Sequence, residues 1–270
     1  MRAILILSLT MIFFGSELFA GGHSSTLQDV KARGKLRCVV TTGLPGFAAP
    51  DANGVWRGFD WDFCRATAAA VLGDANAVDP ITSTGKTRFT KLNAGEGDVL
   101  WRNTTITFSR DVSVKLRFLG VNYYDGQGFM VNKSLGVSSA KELDGASVCI
   151  QTGTTTELNL ADFFSSNNMS YEAVTIETND EARQNYEAGR CDIYTTDASG
   201  LASTRSSLPN PNDHMVLPEI ISKEPLGPAV RQGDDAWADI ITWVLAATIT
   251  AEELGVCLLY TSPSPRDFVR

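Results

Sequence analysis

The chain has 270 residues, 23 Lys and Arg against 31 Asp and Glu, a formal net charge of −8 and 43% hydrophobic residues. That length accommodates two domains of ordinary size, and the acidic balance argues against a nucleic-acid partner, which would favour a basic surface. The histidines are His23 and His214, and none of the five cysteines has Cys-x-x-Cys spacing, so neither metal chemistry nor a cofactor is expected.

Arg2, the apolar run from Ala3 to Phe14, and Gly15, Ser16, Leu18-Phe-Ala20 read as a secretory signal peptide over residues 1–20. The run is too short for a comfortable membrane span, and no other stretch approaches eighteen apolar residues, so the mature protein is expected to be soluble. The oxidising compartment suits disulfides. Cys38 and Cys64 share the first segment and Cys149 and Cys191 the middle one, which suggests two bridges, each within one half, with Cys257 left over.

After a polar leader, Leu27 to Gly34 reads as a short helix ended by glycine, and Leu36 to Thr41 as a strand. Thr42-Gly43-Leu-Pro-Gly-Phe47 is a tight loop at the strand end; Phe47 either walls a pocket or packs into its own lobe. Asn53-Gly54 marks a hairpin-like turn before Val55 and Trp56. Gly58-Phe-Asp-Trp-Asp62 opens a helix predicted over Phe63 to Leu72, with Asp60 or Asp62 as its cap. Val78 to Ile81 is the next strand. Gly85-Lys86-Thr87 imitates the end of a phosphate loop, but Pro80 stands where that motif needs glycine.

Asp98 to Arg110 begins as a buried strand and ends as a hydroxyl-rich loop closed by one arginine. Thr104, Thr105, Thr107 and Ser109 offer hydroxyls, and Arg110 a planar fork that fits a carboxylate. Taken alone, the stretch reads equally well as an exposed threonine-rich strand. Its echo shifts the balance: Ala94-Gly-Glu-Gly-Asp98-Val-Leu100 is answered by Ala188-Gly-Arg-Cys-Asp192-Ile-Tyr194. Both follow a polar helical stretch, both place Gly at a helix stop, and both enter a strand that delivers polar residues. The first gives Asn103-Thr-Thr105, the second Thr195-Thr-Asp197. Ligands of open α/β sheets bind beyond the carboxyl ends of strands, so facing loops would set the cation Arg110 opposite the anion Asp197. A zwitterion fits that pair, although Asp197 could instead cap the helix that follows it.

Val114 to Val121 reads as a first crossing between halves. Strands follow at Phe129–Val131 and Ser147–Ile150, with a helical turn at Ala140–Leu143. Thr154 and Glu157 have capping-box spacing at a helix start whose free N–H groups suit an anion. A strand over Tyr171–Ile176, a helix over Asn179–Glu187 and a strand over Asp192–Tyr194 come next. Leu217 to Pro228 is the expected return crossing, and Ala236 to Leu254 a long helix. Beyond Val256 two prolines and lost periodicity predict a disordered or foreign tail over residues 257–270.

Taken together, Thr42–Phe47, Arg102–Thr105, Ser109–Asp111, Gly120–Met130, Thr152–Leu160, Tyr194–Gly200 and Ile221–Gln232 resemble the periplasmic solute-binding proteins of polar amino acid ABC transporters, most closely the general L-amino acid branch. The resemblance implies a two-lobe type II α/β fold, each lobe a mixed sheet flanked by helices, joined by two crossing strands. Lobe I would span 27–117 plus 226–256 and lobe II 122–222. It implies a monomer that binds L-amino acids of many kinds, is not an enzyme, and serves membrane permease subunits. Arg110 would grip the ligand carboxylate and Asp197 the ammonium, with Thr105, the Asn103 backbone and the Thr154 and Thr155 N–H groups completing the grip. Thr42, Gly43 and Phe47 would border the side-chain pocket. Relatives continue beyond the Ala251–Gly255 segment with more helix, so a truncated or chimeric end is expected. Two alternatives use similar architecture: a dehydratase-like enzyme, which needs a cleft acid or base, and the sensing module of a receptor.

Overall fold

The computed structural model describes residues 25–256; the signal segment, His23, Cys257 and the predicted tail lie outside the described residues. The first part of the chain supplies α1 (Thr26–Arg33), β1 (Leu36–Thr41), β2 (Ala49–Pro50), β3 (Trp56–Arg57), α2 (Phe59–Leu72), β4 (Val78–Ser83), α3 (Arg88–Asn93), β5 (Val99–Leu100), α4 (Phe108–Ser113) and β6 (Leu116–Phe118). The middle supplies β7 (Tyr123–Asp125), β8 (Gln127–Asn132), β9 (Ala146–Gln151), α5 (Thr155–Ser166), β10 (Tyr171–Ile176), α6 (Asn179–Glu187), β11 (Ile193–Asp197), α7 (Ala198–Ser206) and β12 (His214–Val216). The last part returns through β13 (Glu224–Leu226) and β14 (Ala229–Arg231) to α8 (Asp235–Glu253).

These elements form two α/β lobes. One is built on a five-stranded sheet of order β4-β1-β5-β14-β6, the other on a five-stranded sheet of order β10-β9-β11-β8-β12. Both sheets are mixed: β14 runs antiparallel to β5 and β6, and β8 antiparallel to β11 and β12. Between the sheets, β7 and β13 pair antiparallel with Tyr123 opposite Leu226 and Asp125 opposite Glu224. The crossing segments approach so closely that a Cβ on Gly227 would lie 2.0 Å from the Gly120 carbonyl oxygen.

The repeated Ala-Gly-x-x-Asp stretch is a repeated way of docking a central strand. Asp98 accepts from the Arg37 N–H at 2.7 Å and Asp192 from the Ser147 N–H at 3.0 Å. In return the Asp98 and Asp192 N–H groups donate to the carbonyls of Arg37 and Ser147. Each carboxylate thus fixes the register of its strand, β5 beside β1 and β11 beside β9.

The first lobe also draws its core from α8. Trp237, Ile241 and Leu245 of α8 join Val30, Leu36, Val40, Phe63 and Trp101 in one core, where Phe63 stacks on Trp101 at 4.5 Å. The Trp237 indole N–H reaches the Asp98 carbonyl at 2.9 Å, so this large core side chain keeps its polar edge satisfied. Cys38 is bonded to Cys64, and Cys149 to Cys191, each bridge within one lobe.

Two starts differ from the sequence pattern. Helix α2 begins at Phe59 rather than Phe63, with Gly58 at its N-cap, so neither Asp60 nor Asp62 caps it; both lie in its first turn. Position 58 needs glycine on two counts: its φ is +120°, and a Cβ there would meet the Phe47 carbonyl oxygen at 2.5 Å. The stretch ending at Arg110 closes as α4, with the Thr107 hydroxyl accepting from the Arg110 N–H at 3.2 Å. A capped turn satisfies free N–H groups that a loop would leave to solvent.

Candidate functional site

From the first lobe, the segment after β5 enters the space between the sheets. The exposed-strand reading of its threonines fails, since Thr104, Thr105 and Arg110 are all buried. Thr107 and Ser109 are spent locally, their hydroxyls 3.2 Å apart at the start of α4. Arg110 donates through Nη1 to the Thr105 carbonyl at 2.8 Å, and its guanidinium lies 5.4 Å from the Phe89 ring centre. It joins no ion pair among the described residues. Arg88 and Arg102 are buried beside it, and both donate to the Asn103 carbonyl, at 3.2 and 3.4 Å.

From the second lobe, β11 ends at Asp197. It occupies the N-cap position of α7 yet makes no side-chain capping bond, which removes the cap reading. Its Oδ2 instead accepts from the Asn103 amide at 3.4 Å, across the lobes. Thr154 caps α5: its hydroxyl accepts from the Glu157 N–H at 3.2 Å, and Glu157 reaches back to the Gly153 N–H at 2.9 Å. That helix start faces the first lobe, with the Thr155 and Thr105 hydroxyl oxygens 3.3 Å apart.

Further contacts hold the two lobes together. Asn179, at the start of α6, donates to the Thr41 hydroxyl at 3.2 Å and the Gly43 carbonyl at 3.4 Å. Ser203 donates to the Pro45 carbonyl at 2.6 Å, and Thr154 packs so tightly on Gly85 that a Cβ there would be 2.8 Å from its methyl. The Thr42–Gly43 loop therefore lies at the seam between the lobes. Phe47 is buried edge-on to Phe59 and Tyr123, at 6.3 and 5.9 Å.

Burial dominates the electrostatics. It pushes the Asp197 carboxyl up to about 8, reinforced by Asp125 and Glu224 and opposed by the Asn103 amide and Arg88. Asp125 is also raised, mainly by burial, with its carboxylate held by Ser199 and by the Gly126 N–H. Burial lowers Arg110, while Glu224 and Asp197 act to keep it charged. Deeper in the first lobe, burial raises Asp60 to about 7 and lowers Arg102 to about 10, each partly restored by the other's charge. The outcome is a buried seam in which a guanidinium outside any ion pair lies within reach of the charges of Glu224 and Asp197. A carboxylate can satisfy the guanidinium by charge-assisted bonds and an ammonium the acids. Among the described residues no group of His, Cys, Asp and Glu is arranged to hold a metal.

Sequence reasoning missed Asp60, Arg88, Arg102, Asp125, Asn179 and above all Glu224. Glu224 lies 2% exposed on β13 and accepts four hydrogen bonds. The one pointer in the sequence is position: Lys223-Glu-Pro-Leu226 falls within the expected return crossing, but nothing local marks Glu224 as buried.

Residues 36–256 match the model of the bacterial extracellular solute-binding proteins, family 3. A glutamate/glutamine/aspartate/asparagine-binding protein of Rhodobacter capsulatus is 64% identical over 249 residues, covering 90% of this chain and 74% of that relative. A general L-amino acid-binding periplasmic protein of Rhizobium johnstonii is 58% identical over 246 residues, covering 90% and 72%. Among solved structures, an ABC transporter periplasmic binding protein from Brucella ovis with glutathione bound superposes with a TM-score of 0.84 at 56% identity, covering 87% of this chain and 74% of that one. The two lobes, the ribbon between them and these matches lead to one conclusion: the chain belongs to the bacterial extracellular solute-binding proteins, family 3.

Proposed function

We propose that this protein captures L-amino acids in the periplasm by closing its lobes on their main-chain groups, and delivers them to the permease subunits of an ABC importer. The observation that carries this reading is the pair Arg110 and Asp197, buried on different lobes, each lacking a partner of opposite charge within an ion pair. An α-carboxylate on Arg110 and an α-ammonium on Asp197 would supply both partners at once. The Thr105 hydroxyl, the Asn103 backbone and the Thr154 and Thr155 N–H groups would complete the grip. Thr42, Gly43 and Phe47 would border the side-chain end, and recognition through main-chain groups allows breadth. The relatives of 58–64% identity carry names of amino acid-binding proteins, which supports the same ligand class.

A ligand that touches both lobes binds the closed state better than the open one, and so shifts the balance between them. In this reading the lobes span 27–117 with 226–256, and 122–222; residues 1–20 are a signal peptide, and the protein acts as a monomer. The relatives of 58–64% identity carry names of binding proteins, which favours capture over a dehydratase-like activity.

Calorimetry with a panel of L-amino acids tests the proposal. Binding by wild type, and its loss in correctly folded Arg110→Ala and Asp197→Ala, is the expected result. Near-normal affinity in both variants rejects the site. Mass spectrometry of ligand that co-purifies with the protein would identify the preferred amino acid.

A further inference from the structure

Glu224 stands where the two lobes and the crossing ribbon meet. Its Oε2 accepts from the Thr105 hydroxyl of the first lobe and, at 3.0 Å, from the Thr155 hydroxyl of the second. Its Oε1 accepts from the Asn159 amide at 2.7 Å and from the Ser222 hydroxyl at 2.7 Å. Four donors surround one buried carboxylate, and a carboxylate can only accept. They come from three separate stretches of chain, 119, 69, 65 and 2 residues away in sequence.

This arrangement has a consequence for the hydroxyls. A threonine hydroxyl has a single proton. Once that proton is directed at Glu224, the oxygen can offer only lone pairs to anything else nearby. The Thr105 and Thr155 oxygens are 3.3 Å apart. Two oxygens presenting lone pairs at that spacing favour a donor placed against them. An ammonium, with three N–H groups, can donate to both oxygens at once; a hydroxyl has one proton and can satisfy only one of them, and a ketone neither.

We infer that Glu224 is a specificity-determining positioning residue: by taking the protons of Thr105 and Thr155 it turns both hydroxyls into acceptors, so that the cleft selects an α-amine over an α-hydroxyl or α-oxo group. The inference rests on the amino acid-binding reading above, and assigns a role within it to a residue that need not touch the ligand. Glu224 acts through Thr105 and Thr155, and its charge also helps keep Arg110 cationic. Replacing it by glutamine introduces an amide donor, which would turn at least one threonine round to accept from it and so present its own proton outward.

The test compares L-glutamate with L-2-hydroxyglutarate by calorimetry, since these differ only in the α-substituent; L-alanine and L-lactate serve as a second pair. Wild type, Glu224→Gln, Thr105→Val and the double variant are measured, with circular dichroism to confirm folding. The expected result is a strong wild-type preference for the amino acid, reduced roughly ten-fold or more in Glu224→Gln, the order expected for one bond to a charged group. Because Glu224 acts through Thr105 and also through Thr155, the double variant should lose more preference than Thr105→Val alone but less than the sum of the two single losses. Equal loss of affinity for both members of a pair would indicate a merely structural role and overturn the inference, as would additive losses in the double variant. If Glu224→Gln does not fold, Thr105→Val decides: an unchanged preference overturns the inference. Wild type that binds no L-amino acid refutes the underlying reading, and the inference falls with it; that outcome is separate from wild type that binds amino acids without selecting the amine.

Discussion

Affinity for amino acids should depend steeply on pH, and the slope follows from Asp197. Burial with Asp125 and Glu224 nearby pushes its carboxyl up to about 8, against the pull of Asn103 and Arg88. At neutral pH most molecules therefore hold a proton on Asp197, while an incoming ammonium needs the ionised form. Each pH unit below that value costs about 1.4 kcal/mol of binding free energy, a factor of about ten in Kd. Raising the pH from about 6 to about 8 should therefore tighten binding by about a hundredfold, after which the curve flattens. Binding near pH 6.5 should release about one proton per ligand, seen as a calorimetric heat that varies with the buffer's ionisation enthalpy. Asp197→Asn should bind weakly and without this slope. A wild-type Kd that stays constant over this range, with no buffer-dependent heat, would refute the reasoning. The same group affects stability with a definite sign. Its folded value lies above the unfolded carboxylate value of about 3.9, so its contribution is fully present below that pH and is lost as pH rises through about 8. Ligand-induced gain in Tm should accordingly be greater at pH 8 than at pH 6.

Arg110→Ala should lower affinity by about a hundredfold or more, since it removes charge-assisted bonds worth roughly 1.5–3 kcal/mol each; calorimetry on the folded variant checks this. Asn179→Ala removes two bonds between the lobes without altering Arg110 or Asp197. It should weaken binding by roughly five- to tenfold through the closing step alone, with small-angle scattering reporting a more open ligand-free form. Breaking Cys149–Cys191, which links residues 42 apart, should cost about 4 kcal/mol on a chain-entropy estimate and Cys38–Cys64, 26 apart, slightly less; denaturant unfolding with and without reductant measures both. Gly227→Ala would force a Cβ against the Gly120 carbonyl oxygen and should lower Tm markedly, whereas Gly54→Ala, with open space around it, should lower it only by backbone strain.

The parts of the molecule that could be read from sequence are those whose causes are local. The Asp98 and Asp192 echo was legible because Gly at the helix end, the aspartate and the strand follow one another within seven residues. Thr154 and Glu157 were legible because a capping box is written at fixed spacing. Arg110 and Asp197 stood out only through the repeat, which implied that both strands end on the same space. Where local pattern and tertiary contact disagreed, contact prevailed. Asp60 looked like a cap, yet Gly58 holds the N-cap position, where φ is positive and the Phe47 backbone leaves no room for a Cβ. Glu224 lay hidden for the opposite reason. A glutamate between lysine and proline reads as a surface residue, and the donors that make its burial possible lie up to 119 residues away.

The path of the chain through the two sheets also sets an order of assembly. The second sheet draws on one uninterrupted stretch, β8 to β12, so all its strands are present once residue 216 has emerged. The first sheet needs β14 between β5 and β6, and its core needs Trp237, Ile241 and Leu245 from α8. A growing or translocating chain thus carries its earliest half unfinished at least until α8 arrives, with Val30, Leu36 and Trp101 uncovered in the meantime. Nascent-chain proteolysis should find the middle segment protected first and the opening segment last, although it is made first.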